Sequence, residues 1–261
     1  MNCLIETALL THGLRSIANE ELAQSWHCPD AILAWVDRGE LKLGPIGEYL
    51  PFRERSEELI RIDCDHLEEA LQTGASGALT ASGTMAVCRR LDIPMAITCG
   101  MGGIGDLRGE ELCPDLPALM NIPVALISTS PKDMLDRPAT LDWLRRHGVH
   151  TAGEPCTGYL FCGEPVALEL PLSSCNNEAA VRRLTANGGL LILNPIPEKE
   201  RVQNRSILVD AIKAGKQAEA EGHYYHPAAN GEIDRRTGGY SSRIQLESIQ
   251  QNYLLAKSIM D

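Results

Sequence analysis

The sequence predicts an α/β protein with a three-layer α/β/α fold, in which helices cover both faces of a central mixed, largely parallel sheet. Three apolar runs of strand length carry this prediction, at Pro94–Thr98, Val124–Ser128 and Gly189–Leu193. Continuous apolar runs suit strands buried on both faces. Helical patterns separate them, as expected where strands and helices alternate. No internal repeat or low-complexity linker interrupts the chain, so we expect a single domain over residues 1–261.

The remaining elements are predicted from the same kinds of pattern. Further strands are predicted at Cys3–Leu10, Ala31–Trp35, Glu40–Leu43 and Glu58–Ile62. Helices are predicted at Asn19–Trp26, Thr84–Leu91, Leu141–Arg146, Glu178–Thr185, Val209–Glu221 and Ile244–Ile259. The stretch His223–Gly239 contains glycine, proline, asparagine and charged residues, and it is predicted to be a loop.

Charge and cysteine content narrow the classes of partner and compartment. The formal net charge of −11 argues against a nucleic-acid or anionic-membrane partner, which would need a basic face. A helix N-terminus or a local arginine can still hold an anionic small molecule. No segment approaches the ~20 apolar residues of a membrane span. The nine cysteines form no CxxC pair. We therefore interpret them as free thiols in a reducing compartment and expect a cytoplasmic protein.

Two small-residue segments are candidate ligand loops. Thr98–Gly105 (TCGMGGIG) directly follows an apolar strand, and Ala81–Thr84 leads into a predicted helix. Glycines after a strand let backbone N–H groups approach a ligand. The spacing matches neither a dinucleotide fingerprint nor a P-loop, which argues against a Rossmann-type oxidoreductase. These segments are therefore interpreted either as tightly packed turns or as loops that contact a ligand.

Lys132 follows the predicted strand Val124–Ser128. Ligands of open α/β sheets bind beyond the carboxyl ends of strands. A lysine desolvated there would have a lowered pKa and could attack a carbonyl group as a free amine. The competing interpretation is a solvated lysine at a helix start, since lysines are mostly exposed. The local pattern leaves both interpretations open.

Six ordered motifs resemble the pseudouridine-5′-phosphate glycosidase family, also called indigoidine synthase A-like. They lie at Cys3–Leu14, Thr80–Met85, Gly102–Gly105, Pro131–Leu144, Gly188–Pro197 and Gln250–Ile259. The most specific is GGLLILNPIP at Gly188–Pro197, which resembles the family's G-G-x-x-x-A-N-P-I-P. The resemblance extends over nearly the whole chain.

The resemblance implies an activity and roles for individual residues. Family members reversibly cleave the C–C glycosidic bond of pseudouridine 5′-phosphate to uracil and ribose 5-phosphate, assisted by a divalent metal, typically manganese. The nucleophilic lysine that forms a Schiff base falls on Lys132, and the acid/base glutamate falls on Glu6. The substrate-binding positions implied are Arg61, Ala81, Thr98, Cys113, Asp115 and Asn252. The resemblance also implies a homotrimer.

Several positions depart from the family pattern. Arg61 replaces the family's substrate-binding lysine, and it keeps a charge suited to phosphate. Glu111 stands at the metal-binding aspartate, where its longer side chain would move the ion. Cys113 replaces a serine, and the family's histidine before Arg108-Gly109 is missing.

These departures leave three functional hypotheses. One is a C-glycosidase for pseudouridine 5′-phosphate or a related C-nucleoside phosphate. The others are a C-ribosyl synthase that joins ribose 5-phosphate to another ring and a non-catalytic sugar-phosphate-binding homologue. His12 is interpreted either as a residue that orients Glu6 or the base of the substrate, or as a packed structural histidine. His223 and His226 are interpreted as surface residues.

Overall fold

The computed structural model describes residues 1–105, 113–186, 188–222 and 225–260. The strands are β1 (Cys3–Ile5), β2 (Leu33–Asp37), β3 (Glu40–Gly44), β4 (Ile60–Ile62), β5 (Gly77–Leu79), β6 (Met95–Ile97), β7 (Gly100–Met101), β8 (Ala125–Ser128), β9 (Ser130–Pro131), β10 (His150–Gly153) and β11 (Leu190–Leu193). The α-helices are α1 (Asn19–Ser25), α2 (Ile46–Arg53), α3 (Leu67–Thr73), α4 (Ala81–Arg90), α5 (Asp115–Asn121), α6 (Arg137–Arg146), α7 (Glu178–Thr185), α8 (Ser206–Ala220), α9 (Tyr225–Arg236) and α10 (Tyr240–Met260). A π-helical turn spans Leu9–Gly13, and short 3₁₀ turns span Leu172–Cys175 and Glu198–Glu200.

One large mixed sheet forms the middle of the molecule, in the order β10-β11-β8-β6-β1-β2-β5-β4, with β3 paired to β2. The pairs from β10 to β2 are parallel, whereas β2 pairs antiparallel with both β3 and β5. A second, two-stranded sheet pairs β7 with β9. The predicted mixed, largely parallel sheet is confirmed.

Two hydrophobic clusters show that the sheet is covered on both faces. Along β1, Cys3 and Ile5 belong to one cluster and Leu4 to the other, because successive side chains of a strand point to opposite faces. The first cluster includes residues of α8, α9 and α10, and the second includes residues of α4, α5 and α6. The three-layer α/β/α prediction is therefore confirmed.

Capping residues explain where several helices begin. Thr80 accepts a hydrogen bond from the Gly83 N–H at 3.3 Å at the start of α4, and Asp136 accepts one from the Ala139 N–H at 2.9 Å at the start of α6. Asn177 caps α7, whose observed bounds equal those predicted. Each cap provides an acceptor for a backbone N–H that lacks a partner within the helix.

The predicted strand Cys3–Leu10 is wrong in its second half. β1 ends at Ile5, and the chain then enters the π-helical turn, where the Leu14 N–H donates to the Leu9 carbonyl at 3.0 Å. Leu10 is fully buried within this turn. A short apolar run does not distinguish strand from buried helix, which accounts for the error.

The predicted loop at His223–Gly239 is also wrong, since Tyr225–Arg236 forms α9. Tyr225, Ala229 and Ile233 recur every fourth residue and are buried. Pro227 lies in the first turn, where a missing N–H breaks no intrahelical hydrogen bond. The asparagine, glycine and proline content hid this helical spacing.

The change of strand direction between β2 and β5 brings two sets of strand ends together. β5 runs opposite to β1 and meets its carboxyl end, where the Thr7 N–H donates to the Leu79 carbonyl at 3.2 Å. The Leu79 N–H donates in turn to Thr7 Oγ1 at 3.0 Å. Residues that follow β1 and β5 therefore face the same space.

Candidate active site

A pocket lies where the residues that follow β1 and β5 meet. Six residues predicted from the sequence line it, namely Glu6, His12, Arg61, Ala81, Asp115 and Lys132. The other lining residues are Ala8, Leu9, Gly13, Thr80, Gly100, Tyr159, Pro227, Asn230 and Gln245. The chemistry-bearing residues thus converge from segments that are far apart in the sequence.

Glu6 is the first residue after β1, and its side chain is buried with the residue 6% exposed. Its backbone N–H donates to the Ile97 carbonyl at 2.9 Å, which holds it beside β6. Burial raises the pKa of the Glu6 carboxyl to about 7, although the Thr98 hydroxyl and the positive charge of Lys132 oppose the rise. A carboxyl group with this pKa can both donate and accept a proton near neutral pH.

Lys132 follows β9, which pairs with β7 beside the glycine-rich segment. Its backbone N–H donates to the Met101 carbonyl at 3.2 Å, and its side chain lines the pocket. The interpretation as a solvated lysine at a helix start is wrong, because α6 begins five residues later. Burial, aided by the nearby positive charge of Arg61, lowers the pKa of the Lys132 amine, while the Glu6 carboxylate opposes this effect. A lowered pKa increases the fraction of free amine that can act as a nucleophile.

Asp115 joins two walls of the pocket through its carboxylate. Its Oδ1 accepts a hydrogen bond from the Ser82 N–H at 3.1 Å, at the start of α4, and its Oδ2 accepts one from the Gly102 N–H at 2.8 Å. Cys113 lies directly against Gly102, where an added Cβ would come within 2.0 Å of the Cys113 sulfur. The glycine-rich segment therefore packs tightly and also contributes to the pocket wall.

Arg61 and Ala81 lie on the side of the pocket formed by β4 and α4. Arg61 is exposed and also lines the pocket, whereas Ala81 is buried at the first turn of α4. The amino end of a helix and a guanidinium group both favour an anion. This wall is suited to the phosphate end of a substrate.

The sequence did not identify Tyr159 or Gln245 as pocket residues. The Tyr159 hydroxyl donates to Gln245 Oε1 at 3.1 Å, and its ring lies against Gly100, where an added Cβ would be 2.6 Å from it. The Asp133 carboxylate accepts hydrogen bonds from the backbone N–H groups of residues 159–161 at 2.7–3.0 Å. The residue next to Lys132 thereby positions the loop that carries Tyr159.

Asn252 and Thr98 lie behind the pocket lining. Asn252 Nδ2 donates to the Thr98 carbonyl at 2.8 Å and to Thr129 Oγ1 at 3.2 Å, and its Oδ1 accepts from Asn194 at 3.0 Å. Asn252 therefore connects the ends of β6, β8 and β11. Substrate contact by these two residues remains a prediction.

A polar stripe on α10 could have revealed Gln245 in the sequence. Gln245, Ser248 and Asn252 recur at helical spacing and are all buried, although the surrounding helix face is apolar. Buried polar residues in such a pattern need partners, and here they face the strand ends.

Both histidines near the pocket are neutral at physiological pH. Burial lowers the pKa of His12 to about 4, with a further effect of the Arg61 charge. Burial and the charges of Lys132 and Arg61 lower the pKa of His226 to about 3. The surface interpretation of His226 is wrong, because its Nδ1 is buried within α9. His223 lies outside the described residues.

The described residues do not by themselves supply a metal site. In residues 1–105, 113–186, 188–222 and 225–260, no group of three or more histidine, cysteine, aspartate or glutamate side chains is arranged to hold an ion. Both carboxylate oxygens of Asp115 accept hydrogen bonds from backbone N–H groups. The predicted ligand Glu111 lies outside the described part of the chain. The metal therefore remains a prediction, and we assign it no chemical step.

The family model for indigoidine synthase A like proteins matches residues 4–260. The chain belongs to this family. Among curated relatives, the pseudouridine-5′-phosphate glycosidase of Saccharopolyspora erythraea is 29% identical, with 98% of this chain and 90% of the relative covered. The enzyme of the same name from Methylobacterium nodulans is 28% identical, with 98% of this chain and 81% of the relative covered.

Two solved structures share the fold. The prealnumycin C-glycosynthase AlnA, crystallised with ribulose 5-phosphate, superposes with a TM-score of 0.77 at 20% identity, covering 98% of this chain and 91% of that one. An indigoidine synthase A-like protein from Thermotoga maritima superposes with a TM-score of 0.73 at 18% identity and the same coverage.

Within the described chain, no helix is both long and apolar enough to cross a membrane.

Proposed function

We propose that the protein is a C-glycosidase that reversibly cleaves the C–C glycosidic bond of pseudouridine 5′-phosphate, or of a related C-nucleoside phosphate. The observation that carries this proposal is the pairing of Lys132 with Glu6 in one pocket. The pKa of the amine is lowered and that of the carboxyl is raised to about 7, and each group affects the other. The names of the curated relatives support the same activity.

Lys132 acts as the nucleophile in this proposal. Glu6 protonates the ring oxygen as the C1–O bond of the sugar breaks, and the free amine of Lys132 bonds to C1. The nitrogen then gives a proton to the Glu6 carboxylate, and the lone pair so regained forms a C=N bond as the C–C bond breaks. The electron pair of the broken bond stays on the ring carbon of the base, which takes up a proton. Water hydrolyses the imine and releases ribose 5-phosphate and the free amine. In the reverse direction, the iminium accepts an electron pair from the ring.

Glu6 transfers protons at the ring oxygen of the sugar as the ring opens and closes. A carboxyl group with a pKa of about 7 is close to half ionised at neutral pH, so it serves both directions of the reaction. Arg61 holds the 5′-phosphate in this arrangement. The predicted divalent metal, held by Glu111, and the predicted homotrimer belong to the same proposal.

A C-ribosyl synthase is the second candidate function. The substitution that favours it is Cys113, which occupies the position of a family serine and packs on Gly102 beside Asp115. A changed pocket wall with retained Lys132 and Glu6 is compatible with a different ring partner. Incubation of ribose 5-phosphate with a panel of free heterocycles, followed by mass detection of a coupled product, distinguishes this activity.

Uracil release from pseudouridine 5′-phosphate tests the first candidate. We expect release by the wild-type chain and none by Lys132→Ala. Coupling of ribose 5-phosphate to another ring, with no release of uracil, would favour the synthase. Absence of both reactions and of a covalent sugar adduct would reject both enzymatic functions in favour of a sugar-phosphate-binding homologue.

A further inference from the structure

Helix α9 forms one wall of the pocket. Pro227 and Asn230 line the pocket, and Ala229 and Ile233 are buried in the adjoining hydrophobic core. His226 and Asn230 are four residues apart and therefore lie on the same face of α9. The packing of the apolar face holds this pair of polar side chains in place.

On α9 and the neighbouring π-helical turn, three buried polar atoms have no hydrogen-bond partner among the described residues, and two of them, Asn230 Oδ1 and His12 Nε2, belong to residues that line the pocket. They are His226 Nδ1, Asn230 Oδ1 and His12 Nε2, the last from the π-helical turn. More than about 90% of buried polar atoms in native proteins have a partner. Leaving one unpaired costs about 1–3 kcal/mol. Asn230 Oδ1 and His12 Nε2 are therefore available to hydrogen-bond a molecule bound in the pocket.

The two sides of the pocket differ in charge. Arg61, Lys132, Glu6 and Asp115 lie on the side of the strand ends and the amino ends of α4 and α5. On the side of α9, the carboxamide of Asn230 is uncharged. An imidazole in its neutral form also carries no charge, and both groups can donate or accept hydrogen bonds. Arg61 and Lys132 suit a sugar phosphate, and the uncharged carboxamide of Asn230 suits a neutral polar group.

We propose that His226 and Asn230 bind the ring that is cleaved from, or joined to, the sugar, and that this ring presents adjacent N–H and C=O groups. A carboxamide matches such an edge with two hydrogen bonds, because Oδ1 accepts from the N–H and Nδ2 donates to the C=O. A dianionic phosphate would leave Oδ1 without a donor. This assignment rests on the proposed function and names its ring-binding residues.

The test separates binding of the ring from chemistry on the sugar. Asn230→Leu and His226→Leu remove the polar atoms and keep similar bulk. Gly231→Ala is the matched control on α9, because an added Cβ at this exposed position meets no atom within 4 Å. Borohydride trapping with ribose 5-phosphate reports the covalent step without any ring. Turnover of pseudouridine 5′-phosphate, and its synthesis from uracil and ribose 5-phosphate, report ring binding.

We expect each leucine variant to keep the ribose 5-phosphate adduct within about twofold of wild type. Its kcat/KM for pseudouridine 5′-phosphate should fall by about 10- to 100-fold, as expected for the loss of a buried hydrogen bond. The apparent KM for uracil in the synthetic direction should rise, and Gly231→Ala should match wild type in every assay. Asn230→Leu should also raise the melting temperature of the free protein, because it removes an unpaired buried oxygen.

Other outcomes overturn the assignment. Unchanged kcat/KM in both leucine variants would exclude ring contact, and loss of the adduct together with turnover would place the sugar phosphate against α9 instead. A wild-type adduct without reaction of uracil or pseudouridine 5′-phosphate in either direction would reject a ring with an N–H/C=O edge. A wild-type chain that forms no adduct would refute the proposed function itself, which is a separate result.

Discussion

Replacing Glu6 by glutamine should stabilise the folded chain at alkaline pH and lose most of that advantage at acid pH. Glutamine keeps the shape of the side chain but carries no charge at any pH. In the wild-type protein, burial raises the pKa of the Glu6 carboxyl from 4.5 to about 7. Ionising this carboxyl therefore costs more free energy in the folded state than in the unfolded state.

The sign and size of the effect follow from the raised pKa. Below pH 4.5 the carboxyl is protonated in both states and there is no cost. As the pH rises from 4.5 to about 7, the unfolded state loses its proton first, so the stability contributed by Glu6 falls. One pKa unit corresponds to about 1.36 kcal/mol. The free energy of unfolding of Glu6→Gln, minus that of wild type, should thus rise by about 2.5 kcal/mol between about pH 5 and pH 8.

Urea unfolding at several pH values measures this difference. His12 and His226 have lowered pKa values, so both reduce the free energy of unfolding as the pH falls. This contribution is present in both proteins and largely cancels when the two are compared. Glu57→Gln, which removes an exposed carboxyl, is the matched control. A difference for Glu6→Gln that stays flat, or that falls as the pH rises, would refute the burial argument for Glu6.

Three further predictions concern the rest of the site. Arg61→Gln should raise the KM for the phosphorylated substrate by about 10-fold or more, because a charged hydrogen bond is lost, and Arg61→Lys should have an intermediate KM. Equal KM values in the wild-type chain and both variants would show that Arg61 does not bind the phosphate. Gly102→Ala should lower the free energy of unfolding by about 1–3 kcal/mol, because the added methyl group overpacks against Cys113. The double variant that adds Cys113→Gly should recover part of this loss. A wild-type melting temperature for Gly102→Ala would contradict this contact. If Glu111 holds a divalent metal, elemental analysis should find manganese in the wild-type protein and less of it in Glu111→Gln. Chelation should also lower turnover. Full turnover by metal-free protein would refute this role.

The strands and most helices could be predicted because they are defined by local patterns. The apolar runs at Pro94–Thr98, Val124–Ser128 and Gly189–Leu193 became central strands because they are buried on both faces. The carboxyl end of a strand also predicted the position of Lys132. Local pattern left its role open, and the ordered family motifs gave Glu6 as its partner.

The composition of the pocket depends on contacts that local patterns do not encode. β5 runs antiparallel to β2, which brings Ala81 toward Glu6 from the opposite direction. The helix α9 was mistaken for a loop, so the face carrying His226 and Asn230 could not be assigned to the pocket. Tyr159 is positioned by a carboxylate that binds three backbone N–H groups, and this arrangement exists only after the loop has folded.

The covalent step at Lys132 is the central claim, and borohydride trapping with ribose 5-phosphate tests it most directly. The wild-type chain should gain one reduced sugar-phosphate adduct by intact mass, and peptide mapping should place it on Lys132. Lys132→Ala should remain unmodified under the same conditions. An unmodified wild-type chain, or an equal adduct on Lys132→Ala, would contradict the account.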